Sequence, residues 1–174
     1  MRRIESHVEL PASPATVWEH LVDTGSMGTW NPFITSMSGT LEVGKRIRVR
    51  VAPVGGRAMT FKPRLTVVQP GRSLEWLGTM GVPGLFDGRH SFTLTSVSEG
   101  CTRLVQAEEF SGALVPFAGS LLSRTGAGFE AMNAALLRRL QGGSVSDEGD
   151  DRPAQVVRGP TSTPIRDPRG SADG

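Results

Sequence analysis

The fold is decided by residues 116–141, which read PFAGSLLSRTGAGFEAMNAALLRRLQ. Apolar and small residues recur there every three or four positions, which is the pattern of an amphipathic helix with one buried face. The buried face is predicted to hold Phe117, Leu121, Thr125, Gly128, Met132, Ala135 and Leu140, and the solvent face Glu130, Arg138 and Arg139. A helix of this length needs a broad apolar surface to pack against.

Two glycines, Gly126 and Gly128, lie inside this predicted helix. Each glycine costs about 1 kcal/mol relative to alanine in a helix interior, so their presence needs a reason. Either the missing side chains leave space between the helix and a facing sheet, or they allow close packing or a kink. The sequence favours neither explanation over the other.

The apolar surface that the helix needs is supplied by the residues before it, where apolar and polar side chains alternate between turn residues. The first strand is predicted over residues 4–10. A short helix follows, with Ser13 as its cap and Pro14 in its first position, and residues 23–28 form a turn or a further helical turn. Six more strands are predicted over residues 34–40, 45–51, 58–68, 73–79, 85–97 and 102–111, which makes seven strands, mostly antiparallel.

Five stretches carry a family resemblance: SPATVWEHLVD followed by WNPF, PGRSLEWLG, PGLFDGRHSF, EEFSG and GFEAMNAALLRRL. In this order they resemble the SRPBCC or START-like helix-grip superfamily, and within it the polyketide cyclase/dehydrase and lipid transport group. The resemblance implies an α+β helix-grip fold, in which a curved, mostly antiparallel seven-stranded sheet wraps around the long C-terminal helix. It also implies an apolar cavity between sheet and helix, where the members of the superfamily hold lipids, steroids, polyketides or other hydrophobic molecules.

Residues 1–141 are predicted to form one ligand-binding domain, and residues 142–174 a disordered, low-complexity tail. The tail has no aromatic residue and no periodic apolar pattern, so it cannot bury enough surface to offset the entropy of ordering it. The charge follows the same division. The domain holds 15 Lys and Arg against 11 Asp and Glu, and the tail holds 4 against 6.

The N-terminal segment MRRIESHVEL has no apolar run, so it predicts neither a signal peptide nor a membrane anchor. We expect a cytoplasmic protein without stable membrane insertion. Arg46, Arg48 and Arg50 alternate along one strand as on a solvated sheet face, and no aromatic-rich basic loop predicts nucleic-acid binding. No residue cluster has metal-site spacing and no cofactor motif occurs, so neither a metal nor a cofactor is predicted. The oligomeric state is left open, a homodimer included.

One histidine stands among alternating aromatic and aliphatic residues in GLFDGRHSFTL, residues 84–94. Phe86, His90, Phe92 and Leu94 share the face predicted to be concave. If this strand forms a hairpin with the next one through residues 99–101, His90 faces Phe110 and lies diagonal to Glu108, roughly 7 to 8 Å away. The two side chains are candidate catalytic groups, as general acid and base. The alternative is that His90 only satisfies a neighbouring group or orients a ligand, as inward histidines more often do.

The candidate ligand-contacting residues are large or polar side chains expected on the concave face, in the turn before the second strand and on the sheet-facing side of the long helix. They are Trp30, Phe33, Phe61, Trp76, Phe86, Phe92, Gln106, Phe110, Leu121, Phe129 and Met132. The same residues are expected to form the core, because the core and the cavity wall of this fold are one surface. Asn31 of WNPF is interpreted as a turn residue.

Three functions follow from this reading. The first is a binding module for a lipid or a polyketide-like molecule that is oriented by His90, Gln106 or Glu108. The second is a polyketide cyclase or dehydratase in which His90 moves a proton. The third is an accessory protein that assists another enzyme, so the sequence leaves open whether the protein is an enzyme at all.

Overall fold

The computed structural model describes residues 1–143 and has an α+β architecture. Its strands are β1 (Arg2–Leu10), β2 (Ile34–Ser38), β3 (Arg48–Val51), β4 (Met59–Phe61), β5 (Arg64–Gln69), β6 (Ser73–Thr79), β7 (Asp87–Ser98) and β8 (Cys101–Ser111). Its α-helices are α1 (Pro14–Val22), α2 (Met27–Trp30) and α3 (Gly119–Gly143), and a 3₁₀ turn, Val115–Phe117, precedes α3. The predicted tail, apart from the two glycines that end α3, lies outside the described residues.

The strands pair antiparallel throughout, in two hydrogen-bonded groups. Five strands follow the order β1-β8-β7-β6-β5, and three follow the order β2-β3-β4. Backbone hydrogen bonds join the two groups where the segment before β3 runs beside β5. The amide of Leu65 donates to the carbonyl of Lys45 at 2.9 Å, and the amide of Ile47 donates to the carbonyl of Pro63 at 3.1 Å. The groups therefore form one continuous concave surface.

The prediction of a single strand over residues 58–68 was wrong, since the structure has β4 and β5 there and eight strands in all among residues 1–143. The interruption falls at Lys62 and Pro63, because proline has no backbone amide to donate to a sheet. The register nevertheless continues across the gap. Phe61 lies opposite Val49. Arg64, three residues after Phe61, lies opposite Arg46, three residues before Val49.

Helix α3 packs its apolar side against the concave surface. Phe129, Met132 and Leu136 are fully buried and belong to the same core cluster as residues from β1, β6 and β8. The helix begins only at Gly119, because Val115–Phe117 form a separate 3₁₀ turn. Phe117 is 85% exposed there, so its predicted place on the buried face was wrong. No helix within residues 1–143 is long and apolar enough to span a bilayer.

The two glycines of α3 have different surroundings. A Cβ on Gly128 would overlap the ring of Phe33, so Gly128 allows the helix to approach that ring closely. A Cβ on Gly126 would meet no heavy atom within 4 Å, the adjoining helix backbone aside. Close packing is therefore the correct explanation at Gly128, whereas Gly126 borders open space between α3 and β1.

Candidate functional site

An apolar cavity opens between the concave face of the sheet and the first half of α3. Its wall is aromatic at Phe33, Phe61, Trp76, Phe86 and Phe110, and aliphatic at Ile34, Val49, Val51, Met59 and Leu121, among others. The centres of water-sized molecules can occupy about 100 Å³ of this cavity. One water needs about 10–15 Å³ on that measure, so the cavity has room for several waters or for a small ring system.

His90 lies in the wall of this cavity and is 3% exposed. Its imidazole stacks on the indole of Trp76, with ring centroids 4.8 Å apart and planes 11° from parallel. Phe92 and Phe129 pack edge-on against it, at centroid distances of 4.6 Å and 5.0 Å. Three aromatic contacts therefore hold the ring in one orientation.

Glu108 lies directly opposite His90 in the β7–β8 pair, rather than diagonal to it. The predicted register was wrong by two residues: the hairpin loop, Glu99 and Gly100, is one residue shorter than predicted, and a bulge between Ser96 and Ser98 shifts the pairing by one residue more. A shift of two residues leaves every side chain on its predicted face. His90 and Glu108 thus still share the concave face, and they lie closer together than expected. His90 Nδ1 is 3.7 Å from Glu108 Oε2, which is within ion-pair range and longer than a hydrogen bond.

Gly88 explains how the carboxylate of Glu108 reaches this position. A Cβ on Gly88 would lie 2.6 Å from Glu108 Oε1, closer than real Cβ contacts allow. The carboxylate therefore occupies the space that any other residue at position 88 would fill with its side chain. From there it faces both His90 and the cavity.

Gly78 lies opposite Gly88 in the pairing of β6 with β7. The cavity wall therefore has a pair of residues without side chains beside the pair formed by Trp76 and His90. A Cβ on Gly78 would meet only ordinary contacts, the nearest being 3.8 Å from the carbonyl oxygen of Gly88. This position is therefore open rather than packed. It leaves a flat strip of backbone on which a ligand can lie close to the sheet.

The polar groups of the cavity are few, and one of them has no partner. Thr125 donates its hydroxyl hydrogen to the carbonyl of Leu121 at 2.9 Å. His90 Nε2, in contrast, is buried without a hydrogen-bond partner among the described residues. With a carboxylate beside Nδ1, the neutral ring is expected to carry its proton on Nδ1, which leaves Nε2 as a free acceptor. A free imidazole nitrogen of this kind has the chemistry to accept a hydrogen bond or a proton.

The structure separates the candidate residues into two groups. His90, Glu108, Phe33, Phe61, Trp76, Phe86, Phe110 and Leu121 line the cavity, whereas Trp30, Phe92, Gln106, Phe129 and Met132 do not. Phe92 and Phe129 pack behind rings that line the cavity: Phe92 contacts His90 and Trp76, and Phe129 contacts His90 and Phe33. Gly78 and Gly88 were not predicted from the sequence, although two glycines inside strands are a recognised signal of close backbone approach.

Gln106 belongs to a buried polar network instead. Its amide nitrogen donates to Asn133 Oδ1 on α3, and Asn133 Nδ2 donates to Ser6 Oγ on β1 at 3.1 Å. The network ties the helix to two neighbouring strands of the sheet. Its role is to fix the position of α3, on which one side of the cavity depends.

Asn31 is a turn residue, as predicted, and it positions Phe33 in the cavity wall. Its Oδ1 accepts hydrogen bonds from the backbone amides of Phe33 at 3.0 Å and Ile34 at 2.8 Å. Asn31 is 3% exposed, so no solvent can replace these bonds. Within residues 1–143, no group of three or more His, Cys, Asp or Glu side chains is arranged to hold a metal ion.

Comparisons with known proteins agree with this geometry. A family model described as polyketide cyclase / dehydrase and lipid transport matches residues 1–142. A search of curated protein sequences found no match.

Solved structures show the same fold. The chain is similar to a START superfamily protein from Mycobacterium smegmatis, with 17% identity, a TM-score of 0.65, and coverage of 80% of this chain and 97% of that one. It is also similar to the Zhui aromatase/cyclase from Streptomyces sp. R1128, with 19% identity, a TM-score of 0.66, and coverage of 85% and 98%. DynU16, from the dynemicin biosynthetic locus, shares 24% identity at a TM-score of 0.61, over 81% of this chain and 48% of that one. The predicted helix-grip fold is thereby confirmed.

Proposed function

Because the chain belongs to the polyketide cyclase/dehydrase and lipid transport family, we propose that its cavity binds a hydrophobic small molecule, lipid or polyketide-like, with one polar group at His90. The apolar wall supplies affinity through the burial of ligand surface. The flat strip at Gly78 suits a planar ring, which the aromatic side chains around it can contact face-on or edge-on.

The free Nε2 of His90 is the observation that carries this proposal. A buried nitrogen without a hydrogen bond is costly, and native proteins leave few such atoms. A ligand hydroxyl at this position would supply the missing partner. The rest of the wall offers mainly apolar contact, so this bond would decide which end of the ligand enters the cavity.

Titration with 2-naphthol and with palmitic acid tests the proposal, with tryptophan fluorescence as the signal. Trp76 lines the cavity and Trp18 and Trp30 do not, so Trp76→Phe is expected to remove most of the response. Gly78→Val is expected to abolish binding, because the valine side chain would fill the open strip. The proposal fails if neither compound binds saturably, or if Gly78→Val binds as tightly as the wild type.

A matched pair of variants tests the polar group. His90→Phe keeps an aromatic ring but removes the acceptor, so the affinity for 2-naphthol is expected to fall about three- to tenfold, the value of one hydrogen bond. The affinity for naphthalene, which has no hydroxyl, is expected to stay unchanged. His7→Phe on the exposed side of β1 is the control. An equal loss of affinity for 2-naphthol and naphthalene would mean that the ring of His90 contributes to binding only through its shape.

A second candidate function is proton transfer, which the His90–Glu108 pair favours. In the dehydration of a β-hydroxy ketone, Nε2 would take the proton α to the carbonyl and return it to the departing hydroxyl, which leaves as water. Glu108 would stabilise the imidazolium formed between the two steps. Contacts such as the 3.7 Å separation from Nδ1 often tighten when a ligand binds.

The loss of water from 4-hydroxy-4-phenylbutan-2-one, followed by the absorbance of the enone, tests this second candidate. His90→Gln is expected to lower kcat by about a hundredfold or more. Gly88→Ala would displace Glu108 and is expected to lower kcat with little change in KM, whereas Gly126→Ala should change neither. Unchanged turnover in His90→Gln would reject the acid–base role and leave the binding proposal standing.

A further inference from the structure

The outer surface around β3 carries an unusual excess of positive charge. Residues 43–74 hold eight Lys and Arg and not one Asp or Glu. Five of these side chains, Arg46, Arg48, Arg50, Lys62 and Arg64, lie on and beside β3, β4 and β5, and all five are exposed. We refer to them as the cationic face.

The pairing of the strands brings these five charges together. Arg46, Arg48 and Arg50 alternate with the buried Ile47 and Val49, so they lie on the side of the sheet opposite the cavity. Arg64 lies directly opposite Arg46. The same register places Lys62 opposite Arg48, and the guanidinium of Arg46 donates to the carbonyl of Lys62 at 2.9 Å.

Elsewhere on the same outer surface, arginines are neutralised by glutamates on neighbouring strands. Arg3 pairs with Glu109, Arg89 with Glu75, and Arg103 with Glu9, each at 2.7 Å. No member of the cationic face forms an ion pair with a carboxylate of residues 1–143. Like charges directly opposite each other, as at Arg46 and Arg64, destabilise a sheet. A surface of this kind is suited to a polyanionic partner.

We propose that this partner is the acidic run Asp147–Glu148–Gly149–Asp150–Asp151 of the same chain. It holds four carboxylates in five residues and begins four residues after α3 ends at Gly143. An extended chain spans at most about 3.3–3.6 Å per residue, so Asp151 can reach about 28 Å from Gly143. A domain of this size has a radius of gyration of about 14 Å, so that reach covers much of its surface.

The geometry of the face matches an extended acidic segment. Alternate residues of a strand are about 6.6 Å apart, for the arginines of β3 and for an extended peptide alike. Four of the five cations are arginines, whose planar guanidinium pairs well with a carboxylate. Each exposed pair contributes only about 0–1 kcal/mol, and tethering raises the effective concentration to about the millimolar range. The docking is therefore reversible and sensitive to salt, and it shields the face from other polyanions.

Zero-length carbodiimide cross-linking of the full chain tests the proposal, because Lys45 and Lys62 are its only lysines. The expected product is an intramolecular amide between Lys62 and the run 147–151, identified by mass spectrometry of the monomer band. Its yield is expected to fall about fivefold or more at 0.5 M NaCl, where charges are screened beyond about 4 Å. Replacing the four carboxylates by Asn and Gln should abolish it, and Asp167→Asn should not.

Backbone NMR provides a second, independent measurement. The amide signals of residues 46–50 are expected to shift between the wild type and the variant without the four carboxylates, and those of β1 are not. The proposal is overturned if the cross-link and the shifts are both absent, or if the cross-link forms only between chains. It is also overturned if the wild type and the neutralised variant bind a poly(U) RNA or phosphatidylglycerol vesicles equally well. Equal binding would mean that the run does not shield the face.

Discussion

Gly128→Ala is expected to destabilise the domain, because α3 touches the cavity wall at this position. A methyl group on Gly128 would overlap three carbons of the Phe33 ring, and Phe33 is 3% exposed, so the ring has no free space on the surface to enter. Overpacking of a buried site costs about 1–3 kcal/mol. Alanine recovers about 1 kcal/mol of helix propensity, so the net loss in the free energy of unfolding is up to about 2 kcal/mol.

Gly126→Ala is the matched control on the same helix. The added Cβ meets no heavy atom within 4 Å beyond the adjoining helix backbone, so only the gain in propensity remains, about 1 kcal/mol. The difference between the two variants therefore isolates the overpacking term of about 1–3 kcal/mol. At about 4 °C per kcal/mol for a domain of this size, the two values of Tm are expected to differ by about 4–12 °C.

Urea unfolding followed by circular dichroism measures the free energies, and thermal unfolding measures Tm. Equal stabilisation by both alanines would refute the close packing of Phe33 on α3. The displaced ring would also enter the cavity, whose wall it forms. Gly128→Ala should therefore weaken the binding of 2-naphthol, and Gly126→Ala should leave it unchanged.

Two further changes act on stability. Asn31→Ala would leave two buried backbone amides without an acceptor, at about 1–3 kcal/mol each; urea unfolding measures the loss, and a total below about 1 kcal/mol would contradict this role. Burial, and after it the charge of Arg139, lowers the pKa of His20 from its ordinary value of 6.5. The folded protein therefore binds fewer protons near this pH than the unfolded chain does. Its free energy of unfolding falls as the pH drops through the pKa of the unfolded state. His20→Gln is expected to flatten this decline between about pH 7.5 and 5.5, and the exposed His7→Gln is not; equal slopes in the two variants would show that His20 does not cause it.

Alternation along the strands was enough to predict which side chains face inward. In β7 and the residue before it, the spacing of Phe86, His90, Phe92 and Leu94 placed the histidine on the concave face, and all four are buried. The pairing with β8 was harder to predict, because alternation repeats every two residues and is satisfied equally well by registers two residues apart. The length of the loop at Glu99 and Gly100 and the bulge between Ser96 and Ser98 together distinguish them. The direct opposition of His90 and Glu108 could not be read from the pattern.

Other features depend on contacts between residues that are distant in the chain. The close approach of Gly128 to Phe33 joins positions almost a hundred residues apart, so a glycine at helical spacing did not identify its neighbour. Phe117 fits the helical period, but the chain turns once before α3 begins and leaves its ring in solvent. The division of residues 58–68 was foreseeable in principle, since Pro63 cannot donate to the sheet.

The gap in the hydrogen-bond ladder at Pro63 has a mechanical consequence for the cavity. Val49, Val51, Met59 and Phe61 form one part of its wall and belong to the three-stranded group, whereas Trp76, His90 and Glu108 belong to the five-stranded group. The two parts of the wall meet along a seam where backbone hydrogen bonds run from Gly44 to Leu65, from Leu65 to Lys45 and from Ile47 to Pro63. Deformation of a protein follows its least supported regions. Widening of the cavity along this seam would leave the contacts of His90 with its aromatic neighbours unchanged.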